Sequence, residues 1–173
     1  IAPIVGQPGP HLIAHLVASL VTVKGRISHG RIVAQGPEAA PAAACHNPVM
    51  HLSCAFPPMP DTPAHIALAE ELGYHRAWVF DTPALQLDVW MALALAAART
   101  SRIGLGPGVL IPSLRHPMVT ASAIAHLVEL APGRVEIGVG AGFTGRNALG
   151  QRGLKWADVE AYVRTVQSLL AGE

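Results

Sequence analysis

From residue 50 onward the chain alternates short, mainly apolar segments with longer segments whose apolar residues recur at helical spacing. The short segments are typical of strands in a buried sheet, and the longer ones predict helices. Strands are predicted at residues 50–56, 77–80, 103–109 and 135–139. Helices are predicted at about residues 62–72, 89–98, 118–130 and 156–170. The pattern is therefore a βα unit repeated about four times.

Local signals mark the ends of the first two helices. Asp61 or Thr62 is a candidate N-cap for the first helix, and Pro63 falls in its first turn, where a missing N–H costs nothing. Gly73 closes that helix as a C′ glycine. Asp88 is the candidate N-cap of the second helix, which is almost entirely alanine and leucine and is therefore expected to be covered on most sides.

The third predicted strand is interrupted by a proline and three glycines. A proline removes a donor from the ladder and a glycine offers no side chain to pack, so the interruption indicates a bulge or a close approach of the backbone to another group. The interrupting residues are Gly104, Gly106, Pro107 and Gly108.

Arg115, His116 and Pro117 follow this strand and lead into the third helix. They permit two interpretations, a phosphate-binding site or a cap for the helix with Arg115 on the surface. The cap is the favoured interpretation.

The fold class predicted from this order is α/β with a parallel sheet. A spacing of roughly thirty residues between strands is the size of a βαβ unit. Four units form either an open sheet or half of a TIM-barrel-type (β/α)8 fold. In both architectures ligands bind at the carboxyl ends of the strands, which here lie after residues 56, 80, 109 and 139.

Residues 1–49 differ from the rest and are predicted to be an irregular N-terminal extension. They contain prolines and glycines without a repeat, one predicted helix at residues 11–20 and one predicted strand at residues 31–34. The apolar run at residues 11–23 is too short to span a bilayer, and no basic region precedes it as in a signal peptide. Met50 is a candidate natural start, so an appended, non-native extension and a genuine one both stay open.

Composition and charge narrow the function classes. Charged residues make up 13% of the chain and hydrophobic residues 51%, which indicates heavily buried elements. The net charge of +1 gives no electrostatic indication of a nucleic-acid partner. Two cysteines do not form a disulfide framework, so a cytoplasmic location is expected, with no membrane partner.

A metal site is not predicted. Cys45, His46, His51 and Cys54 imitate the spacing of metal ligands. However, His51 and Cys54 are an odd number of positions apart in a presumed strand, so their side chains face opposite ways, and the paired CxxC spacing of zinc sites is missing.

Four motifs in order resemble the luciferase-like monooxygenase superfamily. They are HLSCAFPP, ALAEELGYHRAWVFD, DVWMALALAAARTSRIGLGPGVLIPSLRHP and LVELAPGRVEIGVGAG. The closing segment, LKWADVEAYVRTVQSLLAGE, also resembles the family. Within the superfamily the chain is most similar to the branch that uses a deazaflavin, coenzyme F420, and includes methylenetetrahydromethanopterin reductases. The resemblance covers residues 50–173, about the amino-terminal half of the family's barrel.

The resemblance implies a cofactor, coenzyme F420 or alternatively FMN, and a set of binding residues. The ring is expected against the third strand, where a non-prolyl cis peptide is expected near Gly108 and Val109. Asp81 matches an acidic residue that contacts the ring. Ser113 and the strand-four residues are expected to line the same pocket; the latter are Gly140, Ala141 and Gly142.

Two departures from the family leave the catalytic residues unassigned. Thr82 stands where many relatives have a histidine, and Phe143 stands where some sugar-phosphate-oxidising relatives have a glutamate. The resemblance therefore implies hydride transfer to or from a small organic substrate without identifying an acid or base.

Three alternatives stay open beside the deazaflavin oxidoreductase. One is an FMN-dependent monooxygenase of the same superfamily. Another is a non-catalytic half barrel that associates through exposed sheet edges, as a homodimer or with a separate carboxyl-terminal half. The third is an open sheet that binds a dinucleotide at residues 138–142, although no acidic residue ends a strand about twenty residues later.

Overall fold

The computed structural model describes residues 25–28, 31–34 and 50–173. Its strands are β1 (Gly25–Ser28), β2 (Arg31–Ala34), β3 (Ser53–Phe56), β4 (Arg76–Val79) and β5 (Gly104–Pro107). Its helices are α1 (Thr62–Glu71), α2 (Val89–Ala97), α3 (Pro117–Leu130), α4 (Phe143–Asn147) and α5 (Trp156–Ala171), and Pro112–Leu114 forms a 3-10 turn. The α/β class is confirmed, whereas α4 lies outside the helices predicted from the sequence.

Strands β3, β4 and β5 form a parallel sheet in that order. The register places Ser53 beside Arg76, and Arg76 beside Gly104. Helices α1 and α2 connect the successive strands, as the predicted βα repeat requires. The carboxyl ends of all three strands therefore meet at one edge of the sheet.

The fourth predicted strand is not a continuous strand. Residues 135–139 run parallel to β5 but pair at two isolated bridges, Leu105 with Val135 and Leu110 with Val139. Leu110 lies five positions after Leu105, whereas Val139 lies four positions after Val135. The extra residue is a bulge in the glycine-rich strand, as the sequence predicts, and it interrupts the ladder.

The helix-facing side of the sheet forms the core. Ala77, Val79 and Leu105 are fully buried there. The alanine-rich α2 packs against β4 and β5 and also contacts α1 and α3, and its Leu93 has no exposed surface. Each fully buried leucine or valine contributes about 1.5–3 kcal/mol, so this layer holds the strand ends in fixed positions.

The opposite face of the sheet combines large side chains on β4 with glycines on β5. Arg76 forms an ion pair with Glu136, and its guanidinium lies 5.2 Å from the centroid of the Trp78 ring. A Cβ on Gly104 would lie 3.0 Å from the Arg76 guanidinium carbon. The glycines of β5 thus make room for the β4 side chains, which is a packing role.

The helix caps agree with the sequence in two of three cases. Asp88 accepts hydrogen bonds from the Trp90 and Met91 amides at 2.8 and 3.1 Å. His116 precedes α3, where its Nδ1 accepts from the amide two residues on. Asp61 makes no side-chain cap to α1. Instead, Thr62, the first residue of α1, fixes the entry to the helix by accepting from one backbone amide and donating to one carbonyl of the preceding loop.

The described part of the extension is an antiparallel pair, β1 with β2. The strand predicted at residues 31–34 is confirmed as β2, whereas the helix predicted at residues 11–20 lies outside the described residues. Within the described ranges, no helix is long and apolar enough to cross a membrane, and no group of histidine, cysteine and acidic residues could hold a metal ion. Cys45 and His46 are outside those ranges.

Glu70 fixes the loop that enters β5. Its carboxylate accepts hydrogen bonds from the amides of Ser101, Arg102 and Ile103, the last two at 2.6 and 2.7 Å. Burial by itself raises the pKa of Glu70, but these amides outweigh burial and hold the pKa below its ordinary value. The ionised form therefore stabilises the fold.

We expect Glu70→Gln to lower the free energy of unfolding by about 1 kcal/mol at pH 7. Because the folded pKa is lowered, this stabilisation is present above the unfolded pKa of about 4.3 and is lost as the pH falls through the folded pKa. Denaturant unfolding at pH 7 and at about pH 3 checks it. Glu129→Gln, on an exposed position of α3, is the control. An equal loss at both pH values would contradict the prediction.

Candidate functional site

A cavity of about 450 Å³ opens at the carboxyl ends of β4 and β5. Its volume lies within the range of roughly 300–1,000 Å³ that is usual for small-molecule sites. Four stretches of chain form its walls: the end of β4 with the loop after it, the bulge after β5, the end of the bridged segment, and α4 with the start of α5. The lining residues are Phe80, Asp81, Thr82, Leu85, Gln86, Gly108, Val109, Ile111, Gly140, Ala141, Gly142, Phe143, Thr144, Gly145 and Trp156.

The structure brings six of the seven candidate binding residues to this cavity. They are Asp81, Gly108, Val109, Gly140, Ala141 and Gly142. Ser113 does not line the cavity, because it lies exposed on the 3-10 turn. The six residues come from three separate parts of the sequence, and the parallel topology brings them to one edge.

We refer to Gly108, Val109 and Gly140, three residues of the lining, as the floor of the cavity. The peptide bond between Gly108 and Val109 is cis, as the family resemblance implies. A Cβ on Gly108 would lie 2.9 Å from the Trp78 Cβ, and a Cβ on Gly140 would lie 2.7 Å from a Val109 methyl group. Both glycines therefore allow a neighbouring side chain to come close, and neither adds a side chain of its own to the floor.

An ion-pair network lies under one wall. Arg115 donates from one nitrogen to both Asp81 oxygens, at 2.8 and 2.7 Å, and from the other to Asp88 at 2.9 Å. Asp81 also accepts from the Ile111 amide at 3.2 Å. The Arg115 side chain is 13% exposed and that of Asp81 is fully buried. The expectation that Arg115 lies on the surface is wrong, because two carboxylates hold it inside.

The charges of this network stabilise one another. Burial opposes the charge of Arg115, but its hydrogen bonds to Asp81 and Asp88 outweigh burial and raise the pKa of the guanidinium. Burial would also raise the pKa of Asp88, but the bond from Arg115 and the capping amides lower it. Tyr162 on α5 donates to the Arg115 carbonyl at 3.1 Å, and burial raises the pKa of its phenol. The network thus ties β4, α2 and α5 to the cavity wall.

Large apolar side chains surround the mouth of the cavity. We refer to Phe80, Leu85, Phe143 and Trp156 as the apolar rim. All four are exposed, Phe143 by 48% and Trp156 by 55%. Sequence reasoning did not select them as site residues, and it treated Trp156 as part of a packing helix. Phe80 and Phe143 lie at or just after predicted strand ends, which was the available signal, but their apolar character made burial the simpler expectation.

The glycine segment after the bridged strand does not resemble a dinucleotide-binding turn. Gly142, with φ of +79°, precedes α4, which has only five residues. A dinucleotide turn requires a longer helix whose N-terminus faces the pyrophosphate. The structure therefore gives the dinucleotide alternative no support.

The sequence profile of the family described as luciferase-like monooxygenase matches residues 32–173. The chain belongs to this family. An F420-dependent glucose-6-phosphate dehydrogenase from Beutenbergia cavernae is 40% identical over 132 aligned positions, which cover 65% of this chain and 38% of that protein. The match begins at residue 32, within β2, so the family resemblance begins before Met50.

Solved structures with the same fold include two enzymes of different cofactor use. The coenzyme F420 dependent tetrahydromethanopterin reductase from Methanopyrus kandleri has a TM-score of 0.56 and 30% identity, over 69% of this chain and 39% of that one. The oxygenating constituent of 3,6-diketocamphane monooxygenase from Pseudomonas putida, in complex with FMN, has a TM-score of 0.56 at 20% identity, over 70% and 38%. This second likeness concerns the fold alone. The chain spans about two fifths of the length of these relatives.

Proposed function

We propose that the chain is the amino-terminal half of a (β/α)8 barrel that binds the deazaflavin coenzyme F420 and transfers a hydride to or from a small organic substrate. One observation carries the proposal: six candidate residues, three of them glycines, line a single cavity at the carboxyl end of a parallel sheet. Relatives named as F420-dependent support the choice of cofactor.

We infer that the cavity holds a planar ring system. A flat ring packs best on a surface with few projecting side chains, and two of the three floor residues, Gly108 and Gly140, have no side chain. Ala141 and Gly142 continue it on the other side. We infer that these five residues hold the ring.

The role of Asp81 follows from its hydrogen bonds. Its carboxylate already accepts two bonds from Arg115 and one from the Ile111 amide, so little of its acceptor capacity remains for a ligand. Ile111 lines the cavity. We infer that Asp81 positions this wall, whereas the backbone of the floor makes the ring contacts.

When bound, the deazaflavin supplies the hydride or accepts it. The chain supplies the position of the ring and a largely apolar lining. No side chain of the described residues is assigned as acid or base. A cytoplasmic site of action stays part of the proposal and rests on the cysteine content.

A titration followed by absorbance tests the choice of cofactor. Coenzyme F420 is expected to bind with a spectral change, and FMN more weakly. Binding of FMN alone would replace the proposal by the flavin monooxygenase of the same family. Binding of neither would support the non-catalytic half barrel instead.

Gly140→Ala is expected to weaken binding of coenzyme F420 by about tenfold or more. The added Cβ would lie 2.7 Å from the Val109 methyl group, so Val109 must move and the floor is deformed. A loss of 1.4 kcal/mol corresponds to a factor of about ten. The titration described above measures it. Gly153→Ala is the control, because a Cβ there meets its nearest atom at 3.6 Å. Unchanged affinity in Gly140→Ala would contradict the assigned floor.

The partner that completes the barrel is also a proposal. Within the described residues, β3 pairs with β4 on one side alone, and its Ser53 and Ala55 are exposed. A parallel edge of this kind is normally covered. We propose that a carboxyl-terminal half covers it, or a second copy of the chain. Size-exclusion chromatography distinguishes the second copy, which requires a dimer.

A further inference from the structure

The lining of the cavity includes a side-chain amide to which no role has yet been assigned. Gln86 and Thr82 both line the cavity, and both are half-buried. The Thr82 hydroxyl donates to the Gln86 Oε1 at 3.1 Å. A glutamine amide has two donors on its nitrogen and two acceptor positions on its oxygen. Within the described residues Thr82 holds the oxygen and no group accepts from the nitrogen, so the NH2 group of Gln86 keeps both donors for a bound molecule.

The segment that carries Gln86 is fixed at both ends by one guanidinium. Asp81 directly precedes residues 82–87, and Asp88 directly follows them. Arg115 donates to Asp81 at 2.8 and 2.7 Å and to Asp88 at 2.9 Å. The two ends of the segment therefore cannot move apart without breaking a charge-assisted hydrogen bond.

Backbone hydrogen bonds also order the inside of segment 82–87. The Gln86 amide N–H donates to the Thr82 carbonyl at 3.0 Å. The Leu87 amide donates to the Pro58 carbonyl, in the loop after β3, at 3.3 Å. A side chain that starts from an ordered backbone loses less conformational entropy on binding, so its hydrogen bonds contribute more to affinity. Gln86 is therefore preorganised for contact with a ligand.

We propose that Gln86 is a specificity-determining residue, whose NH2 group donates a hydrogen bond to a carbonyl oxygen of the molecule bound in the cavity. The inference rests on the proposed function, because that function supplies two sources of the carbonyl group. One source is the pyrimidinedione part of the deazaflavin ring, and the other is a carbonyl substrate. In either case the donor favours a molecule with a carbonyl group at this point, since an analogue without one leaves the donor unpaired.

Heteronuclear NMR of the nitrogen-labelled chain reports the Gln86 side chain directly, and a Gln86→Leu variant assigns its amide resonances. The probes are coenzyme F420 and cyclohexanone, and the ketone is titrated both with and without saturating coenzyme. The absorbance of coenzyme F420 gives the affinity for the coenzyme in the same samples. The molecule that accepts from Gln86 is expected to shift its amide resonances in a saturable way.

Gln86→Leu removes both amide donors without adding a charge, and we expect it to weaken binding by about fivefold, the effect of one neutral hydrogen bond. A loss of this size in coenzyme F420 affinity places the carbonyl group on the ring. The same loss in ketone affinity alone places it on the substrate. Gln151→Leu is the matched control, because Gln151 is exposed and lies outside the cavity lining. Unchanged affinity for both probes in Gln86→Leu would overturn the proposal.

Thr82→Val tests how the amide is oriented. Valine keeps the shape of threonine but cannot donate to the Gln86 Oε1. We expect a smaller loss of affinity than in Gln86→Leu, and no further loss when Thr82→Val is added to Gln86→Leu, because both substitutions act on one interaction. A purely structural effect of Thr82 would persist in the double variant, and full additivity would overturn the proposed arrangement.

The parent chain separates this inference from the proposed function. Coenzyme binding by the parent, with neither affinity changed in Gln86→Leu, would keep the proposed function and overturn the inference. A parent chain that binds no coenzyme would end the proposed function, and the ketone titration without coenzyme would then decide the role of Gln86. A saturable shift of its amide resonances would keep the carbonyl site, whereas no response to the ketone would overturn both.

Discussion

Arg115→Met is expected to lower the free energy of unfolding by about 3–5 kcal/mol. The substitution leaves the Asp81 carboxylate, whose side chain has no exposed surface, without its two bonds from the guanidinium. A buried charge without a partner costs more free energy than the ion pair contributes to stability. Methionine fills much of the volume of arginine, so the loss of stability measures the effect of the unpaired charge. Urea unfolding followed by circular dichroism measures it.

Two further variants sharpen the Arg115 experiment. Arg164→Met is the matched control, because its pair with Glu160 has a similar distance, 2.7 Å, but is exposed on both sides. We expect a change there of at most about 0.5 kcal/mol. Adding Asp81→Asn to Arg115→Met removes the stranded charge and keeps an acceptor for the Ile111 amide, so it should recover part of the loss. Equal losses in the Arg115 and Arg164 variants would contradict the role of burial.

Local sequence patterns predicted those helices and strands that are determined by residues within or next to the element itself. The second helix begins where Asp88 can cap it, and β4 lies where four consecutive residues have an apolar or amphipathic character. The glycines and proline of the third strand predicted a bulge, and the structure has one. In these places propensity, capping and periodicity agree, so no distant contact is needed to define the element.

The fourth strand and α4 were not predictable in the same way. Residues 135–139 have a good strand pattern, but their ladder is broken because the partner strand carries an extra residue. Helix α4 follows Gly142 in a segment rich in glycine and polar residues, which favours a loop. In both cases the secondary structure depends on contacts with a neighbouring segment of the chain. A pattern read along a single sequence does not contain those contacts.

Part of the candidate site was likewise predictable from the sequence, and part was not. Asp81 and the glycines after the strands were selected because carboxyl ends of parallel strands meet, which is a rule of topology. The partnership of Arg115 with Asp81 and Asp88 spans about thirty residues and has no local signature. The surface interpretation of Arg115 followed from its position before a helix, and the two carboxylates overrode it. Site geometry of this kind requires the packed structure.

Gly106→Ala is expected to destabilise the chain by about 3 kcal/mol and to abolish cofactor binding. A Cβ at this position would overlap the carbonyl oxygen of Glu136, which belongs to the backbone of the adjacent segment. Backbone cannot rotate away as the end of a side chain can. The bonds of Glu136 to Leu105 and of Gly138 to Pro107 hold the segment at this distance. Thermal unfolding and the absorbance titration together measure both effects.

The expected cofactor effect follows from the position of the displaced segment. Residues 136–138 lead directly to Gly140, which forms part of the cavity floor, so a shift at Glu136 moves the floor away from Val109. Gly153→Ala again serves as the control, since it adds the same methyl group in ordinary contact. A Gly106→Ala chain with parental stability would show that the sheet can widen there without cost. Parental stability together with lost cofactor binding would place the effect of the substitution in the floor alone. That result would contradict the prediction, because one pair of adjacent backbone segments connects the sheet to the floor.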